Sequence, residues 1–262
     1  MALAARRLDD VVAERAGVTR SRARSLIIAG RVRVDGRPAT KPGTAVAATA
    51  VLEVERPRPF VSRGGEKLEG ALEAFGLDVT GLRALDVGAS TGGFTDCLLQ
   101  RGAGHVTALD VGYGQIALAL RDDPRVAVVE RTNFRLVEAG ALGAPFDIVT
   151  IDASFISVVT IVDRARVFLA PGGTIVALVK PQFEAGRDRL GTGGVVRDPA
   201  VHAAILREVR DACARLEVVP VALYSSSLRG PSGNVEFFAL LRRDGTPYDD
   251  AAIEAALASV PA

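Results

Sequence analysis

The chain reads Asp86-Val87-Gly88-Ala89-Ser90-Thr91-Gly92-Gly93-Phe94 where an apolar run, Leu82–Val87, gives way to a helix-forming segment, Thr95–Arg101. A second strand-like run begins at His105 and ends at an acidic residue, Asp110. A strand, a glycine-rich turn, a helix and another strand in this order are typical of an α/β fold with a largely parallel sheet. We therefore predict that this stretch forms the first strand–turn–helix unit of such a sheet.

The glycines and acids of this unit fit a nucleoside-like ligand. A glycine-rich turn lets backbone pass close to a ligand, and an acid ending the next strand, here Asp110, can hold ribose hydroxyls. The dinucleotide fingerprint requires G-x-G-x-x-G, whereas its second glycine is replaced here by Ser90. The pattern D-x-G-x-S-x-G-G instead resembles the first motif of S-adenosylmethionine (SAM) methyltransferases. The alternative is an ordinary turn of an α/β core. We expect SAM to be bound by Asp86, Gly88, Ala89, Ser90, Thr91, Gly92, Gly93, Phe94, Asp110, Asn133 and Asp152.

The composition fits a cytoplasmic protein with one large and one small domain. A length of 262 residues and a hydrophobic content of 48% are enough for a sizeable core. Two cysteines, Cys97 and Cys213, are too few for a disulfide scaffold or a zinc site. The first residues lack the apolar run of a signal peptide, and no segment is long enough to span a membrane. We expect no metal site and no membrane contact.

Positive charge is concentrated near the N-terminus. Residues 1–60 contain twelve Lys and Arg against six Asp and Glu, although the whole chain has a formal net charge of +1. This asymmetry predicts a small polyanion-binding module joined to a larger, mildly acidic one. In the small module we predict helices at Leu8–Ala16 and Arg20–Ala29, with Thr19 as an N-cap, and a hairpin turn at Asp35-Gly36.

The same segment resembles the S4 RNA-binding domain. The resemblance rests on Arg7-Leu8-Asp9, Thr19-Arg20-Ser21-Arg22-Ala23, Ile28–Gly36 and Lys41-Pro42-Gly43. It implies binding of structured RNA, mainly through backbone phosphates, and the alternative is a solvated arginine-rich face. The RNA-binding candidates are Arg6, Arg7, Arg20, Arg22, Arg24 and Arg31, together with Arg63, Arg187 and Arg189 from the rest of the chain. We expect the S4-like domain at 1–56, a linker at 57–63 around Pro57-Arg58-Pro59, and the second domain at 64–262.

Strand and helix patterns alternate through the second domain. We predict strands at Val126–Val129, Phe146–Ile151, Thr174–Val179, Val218–Tyr224 and Val235–Leu241, and helices at Glu66–Phe75, Gln115–Arg121, Ile156–Leu169 and Pro199–Arg215. Alternation of this kind predicts a doubly wound sheet. With the two strands before them the count is seven, which resembles the class I methyltransferase fold, in which the seventh strand is antiparallel.

Four charged residues are expected at one edge of this sheet. Asp152 and Lys180 end parallel strands, Glu236 begins the antiparallel strand, and Lys67 lies at the start of a helix. A Lys-Asp-Lys-Glu tetrad resembles the FtsJ-type ribose 2′-O-methyltransferases, and the alternative is two structural ion pairs. Lys180 is the candidate general base, which must be neutral to accept a hydroxyl proton. Burial and the charge of Lys67 favour the neutral form, whereas Asp152 and Glu236 oppose it, and this balance stays open.

The whole set of motifs resembles the TlyA (haemolysin A) family of ribosomal RNA methyltransferases. The resemblance rests on Val61–Leu68, Gly88–Thr95, Asp110–Gln115, Glu130–Asn133, Ser154–Ser157, Val179–Glu184 and Gly230–Glu236. It implies SAM-dependent 2′-O-methylation of cytidine in 16S or 23S RNA, or both, with ribosomal subunits as partners. The glycine-rich loop Gln182–Asp198 is expected to close on the target nucleotide.

Other activities fit the sequence less well. An amino-group methyltransferase needs an N/D-P-P-Y/F motif where this chain has Asp152-Ala153-Ser154-Phe155, and a carbon-5 cytosine enzyme needs a cysteine there or nearby. Two alternatives of another kind are a non-catalytic RNA-binding assembly factor and a pore-forming haemolysin. The complete tetrad argues against the first, and the lack of a membrane segment or signal peptide argues against the second.

Overall fold

A seven-stranded sheet forms the centre of the larger of the two units into which the chain divides, Pro59–Ala262; the smaller is Met1–Arg58. The computed structural model describes residues 5–55 and 59–260. The strands of the large sheet, numbered in chain order, are β1 (Arg83–Val87), β2 (His105–Leu109), β3 (Val126–Val129), β4 (Phe146–Ile151), β5 (Leu169–Val179), β6 (Val219–Ser225) and β7 (Phe237–Arg242).

The strand order is β6-β7-β5-β4-β1-β2-β3. Strands β1 to β5 are mutually parallel, and β7 runs antiparallel to both of its neighbours. The prediction of a doubly wound α/β sheet with an antiparallel seventh strand is therefore confirmed. Because β2 lies on one side of β1 and β4 on the other, the carboxyl ends of these strands form the crevice where such sheets bind ligands.

Helices cover both faces of the sheet, because successive strand residues point to opposite sides. Val149 and Ile151 of β4 belong to one apolar cluster and Ile148 to the other. The helices of this unit are α1 (Arg63–Ala74), α2 (Gly93–Gln100), α3 (Leu118–Arg121), α4 (Val158–Ala165), α5 (Pro181–Glu184), α6 (Pro199–Ala214) and α7 (Asp250–Ala258). Short 3₁₀ turns occupy Phe134–Leu136, Ala139–Leu142, Arg166–Phe168, Arg187–Arg189 and Thr192–Gly194.

Several boundaries differ from the sequence prediction, and three elements start three or more residues away from it. Helix α3 starts at Leu118 rather than Gln115, and the Gln115 side chain accepts a hydrogen bond from the Ser90 hydroxyl. Strand β5 begins at Leu169, five residues early, and its pairing with β4 shifts register before Thr174. Helix α1 begins three residues early, at Arg63.

The predicted linker 57–63 spans the division between the units, and its residues 57 and 58 lie outside the described residues. Phe60 is buried in the large unit, and the Val61 N–H donates to Asp96 Oδ2 at 2.8 Å. Residues from Phe60 onward are thus part of the large unit's packing.

The small unit has its own apolar core, built around Leu8, Val12 and Ile27. The Thr19 hydroxyl accepts from the Arg22 N–H at 3.3 Å, as an N-cap does. The helices are Leu8–Ala16 and Arg20–Ile28; the strand pair is Arg6–Arg7 with Ala45–Val46, and Val32–Val34 pairs with Arg37–Pro38 and Leu52–Val54. Across the described ranges, no helix has the length and apolar character needed to cross a membrane.

Candidate active site

A cavity of about 530 Å³ opens at the carboxyl ends of β1, β2 and β4. It is lined by Val87, Gly88, Ser90, Leu109, Asp110, Val111, Gln115, Asn133, Phe134, Arg135, Asp152, Ala153, Ser154, Phe155, Ile156 and Ile161. Mostly apolar walls with a few convergent polar groups, at this volume, are typical of small-molecule sites. The glycine-rich turn and the strand-end acids meet here, as the sequence predicts.

The turn after β1 holds Asp110 in a fixed orientation. The Ser90 N–H donates to one carboxylate oxygen of Asp110 at 2.8 Å, and the Gly112 N–H donates to the other at 2.6 Å. Each carboxylate oxygen has a second lone pair. Asp110 can therefore accept further hydrogen bonds from a bound diol.

Gly88 is required by close packing as well as by backbone geometry. Its φ is +87°, which favours glycine, and a Cβ at this position would lie 2.6 Å from the Asp152 carbonyl oxygen. The Asp152 N–H also donates to the Val87 carbonyl at 2.9 Å. The first turn and the loop after β4 are thus in direct backbone contact.

Several residues predicted to bind the cofactor lie behind the cavity lining instead. Gly92 and Gly93 permit close packing, since a Cβ would lie 2.3 Å from Leu120 Cδ1 and 2.2 Å from Ser62 Oγ respectively. Phe94 packs against Phe238, with ring centroids 5.9 Å apart. Ala89 and Thr91 are likewise absent from the lining.

Asp86 is also set back from the cavity. It is completely buried and accepts hydrogen bonds from Thr95 Oγ1 at 2.7 Å and Thr150 Oγ1 at 3.1 Å. Burial raises the pKa of this carboxyl to about 7, although both threonine hydroxyls act in the opposite direction. These hydrogen bonds connect β1 to α2 and β4, so Asp86 stabilises the packing beneath the glycine-rich turn.

Lys180 and Asp152 form an ion pair at the edge of the cavity. Lys180 Nζ lies 2.6 Å from Asp152 Oδ1 and 2.9 Å from Ser154 Oγ. The Lys180 side chain is 10% exposed and that of Asp152 is 26% exposed. Because Asp152 also lines the cavity, one carboxylate connects the cavity to the buried ammonium group.

Lys67 and Glu236 form a second, more deeply buried pair. Lys67 Nζ lies 2.5 Å from Glu236 Oε2, and the side chains are 9% and 1% exposed. Gly230 packs closely against the Glu236 carboxylate, because a Cβ at this position would lie 2.5 Å from Glu236 Oε1.

The sheet register brings the two pairs to the same edge. Val179 of β5 is paired with Phe237 of β7, so Lys180, which follows Val179, and Glu236, which precedes Phe237, are neighbours across adjacent strands. The register thus places two ion pairs at this edge, and their action as a single tetrad stays a prediction.

The two buried cations are both lysines in a chain that uses almost only arginine. Of its 32 Lys and Arg residues, Lys41, Lys67 and Lys180 alone are lysines. Arginine stays protonated in proteins, whereas lysine can lose its proton when its surroundings favour the neutral amine. The cation beside each buried acid at this edge is thus a lysine rather than an arginine.

The sequence prediction missed an aromatic pair beside Lys180. Phe155 is 91% exposed, has a φ of +63°, and lies with its ring centroid 5.0 Å from that of Phe183. Lys180 Nζ is 5.9 Å from the Phe183 centroid. One feature of the sequence could have identified it. Phe155 is an aromatic residue that directly follows Asp152-Ala153-Ser154 at the end of a strand, and it fits no helix or strand periodicity.

Glu184, also missed, ties the segment after Lys180 to the segment after Asp152. Its carboxylate accepts from Ser157 Oγ and from the Val158 N–H, both at 2.7 Å. Burial raises the pKa of Glu184.

The arginines predicted to bind RNA fall into two groups. Some are held by acids: Arg6 by Glu14 at 2.7 Å, Arg7 and Arg20 by the buried Asp9 at 2.9 and 3.3 Å, and Arg189 by Glu208 at 2.8 Å. Side-chain hydrogen bonds from Arg7 lower the pKa of Asp9 to about 2. Exposed at the surface are Arg22, Arg24, Arg31 and Arg63, while the side chain of Arg187 lies outside the described residues.

Both units match models of known families. A model of the FtsJ-like methyltransferase family matches residues 60–243, and a model of the S4 domain matches residues 6–52. The chain is 50% identical to the 16S/23S rRNA (cytidine-2′-O)-methyltransferase TlyA of Mycobacterium tuberculosis, over 92% of this chain and 91% of the relative. This chain belongs to the TlyA family.

Other relatives of the TlyA family carry a different name. Hemolysin A of Brachyspira hyodysenteriae is 38% identical over 89% of this chain and 98% of its own. A solved structure of a Streptococcus thermophilus protein named as a hemolysin superposes with a TM-score of 0.75 at 38% identity, covering 98% of this chain and 96% of its own. The family therefore keeps one architecture under both names.

Proposed function

We propose that this chain uses SAM to methylate the 2′-hydroxyl of a cytidine in 16S or 23S ribosomal RNA, or both, in the cytoplasm. The observation that carries the proposal is the position of Asp152, which lines the cavity and also holds the Lys180 ammonium at 2.6 Å. The relatedness to a cytidine-2′-O-methyltransferase over most of both chains supports the choice of substrate.

The cavity fits a nucleoside cofactor. Gly88 gives backbone access, the Asp110 carboxylate can accept from ribose hydroxyls, and Val111 and Phe134 offer apolar surface for a base. When bound, SAM supplies an electrophilic methyl group whose departure leaves a neutral thioether. Asp110, Ser90 and Asn133 would hold it.

Lys180 is the residue that takes the hydroxyl proton in this proposal. After it has lost one proton to solvent, its amine accepts the 2′-hydroxyl proton at Nζ, and Asp152 and Ser154 keep that nitrogen in place. In this proposal Lys67 and Glu236, which pair with each other, complete the tetrad. Correct orientation of the hydroxyl toward the methyl group supplies the remaining rate enhancement.

Phe155 is well placed to stack on the target base. Aromatic side chains beside a site commonly hold an unstacked nucleotide, and Phe155 is exposed next to Ser154. The exposed arginines of the S4 unit supply phosphate contacts to the rest of the RNA.

Methyl transfer to ribosomal subunits tests the proposal. Purified protein, tritiated SAM and subunits from cells that lack this activity should give labelled RNA. Because alkaline cleavage of RNA requires a free 2′-hydroxyl, one position should become resistant to alkali. Label on a base, with an unbroken alkaline ladder, would contradict ribose methylation. Lysis of erythrocytes by a variant without transfer activity would favour the haemolysin alternative.

A further inference from the structure

The carboxylate of Glu184, the last residue of α5, makes two hydrogen bonds to the segment that joins β4 to α4. Its Oε2 accepts from Ser157 Oγ and its Oε1 accepts from the Val158 N–H, both at 2.7 Å. Helix α4 begins at Val158, so both donors lie where this segment ends. Glu184 is neither a member of the tetrad nor part of the SAM cavity lining. Its two oxygens therefore anchor the segment from outside the site.

The β4–α4 loop, residues 152–157, forms one wall of the SAM cavity. Its lining residues are Asp152, Ala153, Ser154, Phe155 and Ile156. The Lys180 ammonium donates to Ser154 Oγ at 2.9 Å. A displacement of this loop would therefore alter the cavity and the surroundings of the Lys180 amine together.

Phe155, in the middle of the loop, has a backbone conformation that requires support from both sides. Its φ of +63° lies in the left-handed region, which costs free energy in a bulky residue and persists only where neighbouring structure holds it. Before Phe155, Asp152 and Ser154 are held by Lys180. After Phe155, the end of the loop is held by Glu184. Loss of either anchor would let the backbone at Phe155 relax.

One short helix supplies the contacts on both sides of Phe155. Lys180 is the N-cap residue of α5, and Phe183 and Glu184 lie within this helix. The Phe183 N–H donates to the Lys180 carbonyl at 2.9 Å, so the helical turn sets the spacing of these residues. The Phe183 ring centroid lies 5.0 Å from that of Phe155. An amine, an aromatic ring and a carboxylate of one turn thus contact the same loop.

We propose that Glu184 is a positioning residue for methyl transfer. Its two hydrogen bonds keep the β4–α4 loop in the conformation in which Ser154 holds Lys180 Nζ and Phe155 faces the RNA. This inference rests on the proposed function, in which Lys180 takes the hydroxyl proton and Phe155 stacks on the target base. Glu184 acts through the loop and contacts no reacting group.

Variants of Glu184 should change kcat according to the hydrogen bonds that remain. Glu184→Ala removes both, and we expect kcat to fall by about tenfold, because a misplaced orienting contact reduces rate steeply. Glu184→Gln should keep kcat within about twofold of wild type, since its oxygen accepts from the Val158 N–H and the Ser157 hydroxyl can turn to accept from its amide. Glu254→Ala, at an exposed glutamate of α7, is the matched control. A kcat for Glu184→Ala equal to that of the control would overturn the proposal.

Ser157→Ala provides the same test if Glu184→Ala fails to fold. It removes one of the two hydrogen bonds to Glu184, and we expect kcat to fall by about threefold. An unchanged kcat in Ser157→Ala would equally count against the proposal.

A double-mutant cycle with Phe155→Ala separates positioning from a general loss of stability. Alone, Glu184→Ala should raise KM for ribosomal RNA by about fivefold, because Phe155 is no longer held for stacking. In the Phe155→Ala background the same change should leave KM unaltered, since substitutions that act through one contact are not additive. Effects on KM that multiply would show that Glu184 does not act through the loop, and the proposal would fall.

A fluorescent reporter tests the loop without requiring activity. The chain contains no tryptophan, so Phe155→Trp provides a single emitting residue. Adding Glu184→Ala should lower the emission anisotropy of this tryptophan, whereas adding Glu254→Ala should not. Equal anisotropy in both backgrounds would overturn the proposal. If the wild-type chain transfers no methyl group although Glu184→Ala lowers the anisotropy, the proposed function fails and the anchoring of the loop by Glu184 stands.

Discussion

Lys180 Nζ lies 2.6 Å from Asp152 Oδ1, and the same nitrogen is 2.9 Å from Ser154 Oγ. Both acceptors follow β4, whereas Lys180 follows β5, so the parallel pairing of these strands sets the distance. Lys180 and Asp152 are therefore positioned by the sheet.

Replacing Lys180 should separate chemistry from cofactor binding. Lys180→Arg retains the positive charge but cannot give up a proton, so we expect methyl transfer to fall at least about a hundredfold, with SAM affinity nearly unchanged. Transfer assays and calorimetric titration with SAM measure the two effects. Lys41→Arg in the exposed part of the S4 unit is the control. Substantial transfer by Lys180→Arg would exclude this lysine as the base.

Gly230→Ala should displace the Glu236 carboxylate without replacing any residue of the tetrad. The added Cβ would lie 2.5 Å from Glu236 Oε1, so the carboxylate must shift, and its contact with Lys67 is disturbed. We expect kcat to fall by about tenfold, because an orienting contact misplaced by a fraction of an ångström reduces rate steeply. Gly140→Ala is the control, since a Cβ there meets nothing within 4 Å. Equal kcat values for the two variants would show that Glu236 has no such role.

Phe155→Ala should weaken RNA binding and leave the fold intact. Stacking of a base on an aromatic ring contributes about 1–3 kcal/mol, so KM for RNA should rise by about tenfold or more. Phe155 is 91% exposed, and thermal stability should change little. Val167→Ala, in the 3₁₀ turn before β5, provides the comparison. An unaltered KM would argue that Phe155 does not contact the substrate.

Asp86 should make stability depend on pH. Burial raises its folded pKa to about 7, above its ordinary value of 3.8, so the folded state binds this proton more tightly than the unfolded state. Its contribution is therefore fully favourable below about pH 4 and is lost as pH rises toward 7. Asp86→Asn removes this loss. The Tm of the variant minus the Tm of the wild type should therefore increase from pH 4 to pH 8. Parallel Tm profiles for the two proteins would contradict the raised pKa.

The exposed arginines of the S4 unit should determine the salt dependence of RNA binding. Arg22→Gln and Arg24→Gln should each reduce the slope of log affinity against log salt by about 0.7–0.9, as loss of one phosphate contact does. Arg207→Gln is the control, because Arg207 pairs with Asp250 in the large unit. An unchanged slope in both S4 variants would leave that unit without the proposed contacts.

Long apolar runs allowed the sheet to be predicted from the sequence. Strands Val126–Val129 and Phe146–Ile151 were placed at their observed bounds, because β-branched and aromatic residues dominate both. The predicted strand began at Thr174 and left out Pro171-Gly172-Gly173, yet this segment lies within β5. A register shift between Leu169 and Thr174 keeps β5 paired with β4 before and after this segment. The sequence alone does not reveal such a shift.

The charged residues of the site could also be predicted from the apolar runs. Once the runs mark the strands, the residues at the strand ends are known. What could not be predicted was which side chains reach the cavity. Asp86 is the last residue but one of β1 and Asp110 directly follows β2, but Thr95 and Thr150 hold Asp86 beneath the turn. Phe155 escaped prediction because a positive φ in a bulky residue reflects its surroundings rather than its own preference.

The contact between Gly88 and the Asp152 carbonyl has an evolutionary consequence. Any substitution at position 88 would strain the backbone at its positive φ and push on Asp152, which pairs with Lys180. In the proposed mechanism a single mutation would thus impair both cofactor binding and removal of the hydroxyl proton, and a gain in one could not offset the loss of the other. Position 88 should tolerate glycine alone in any descendant that keeps the activity, even where cofactor affinity is under no selection.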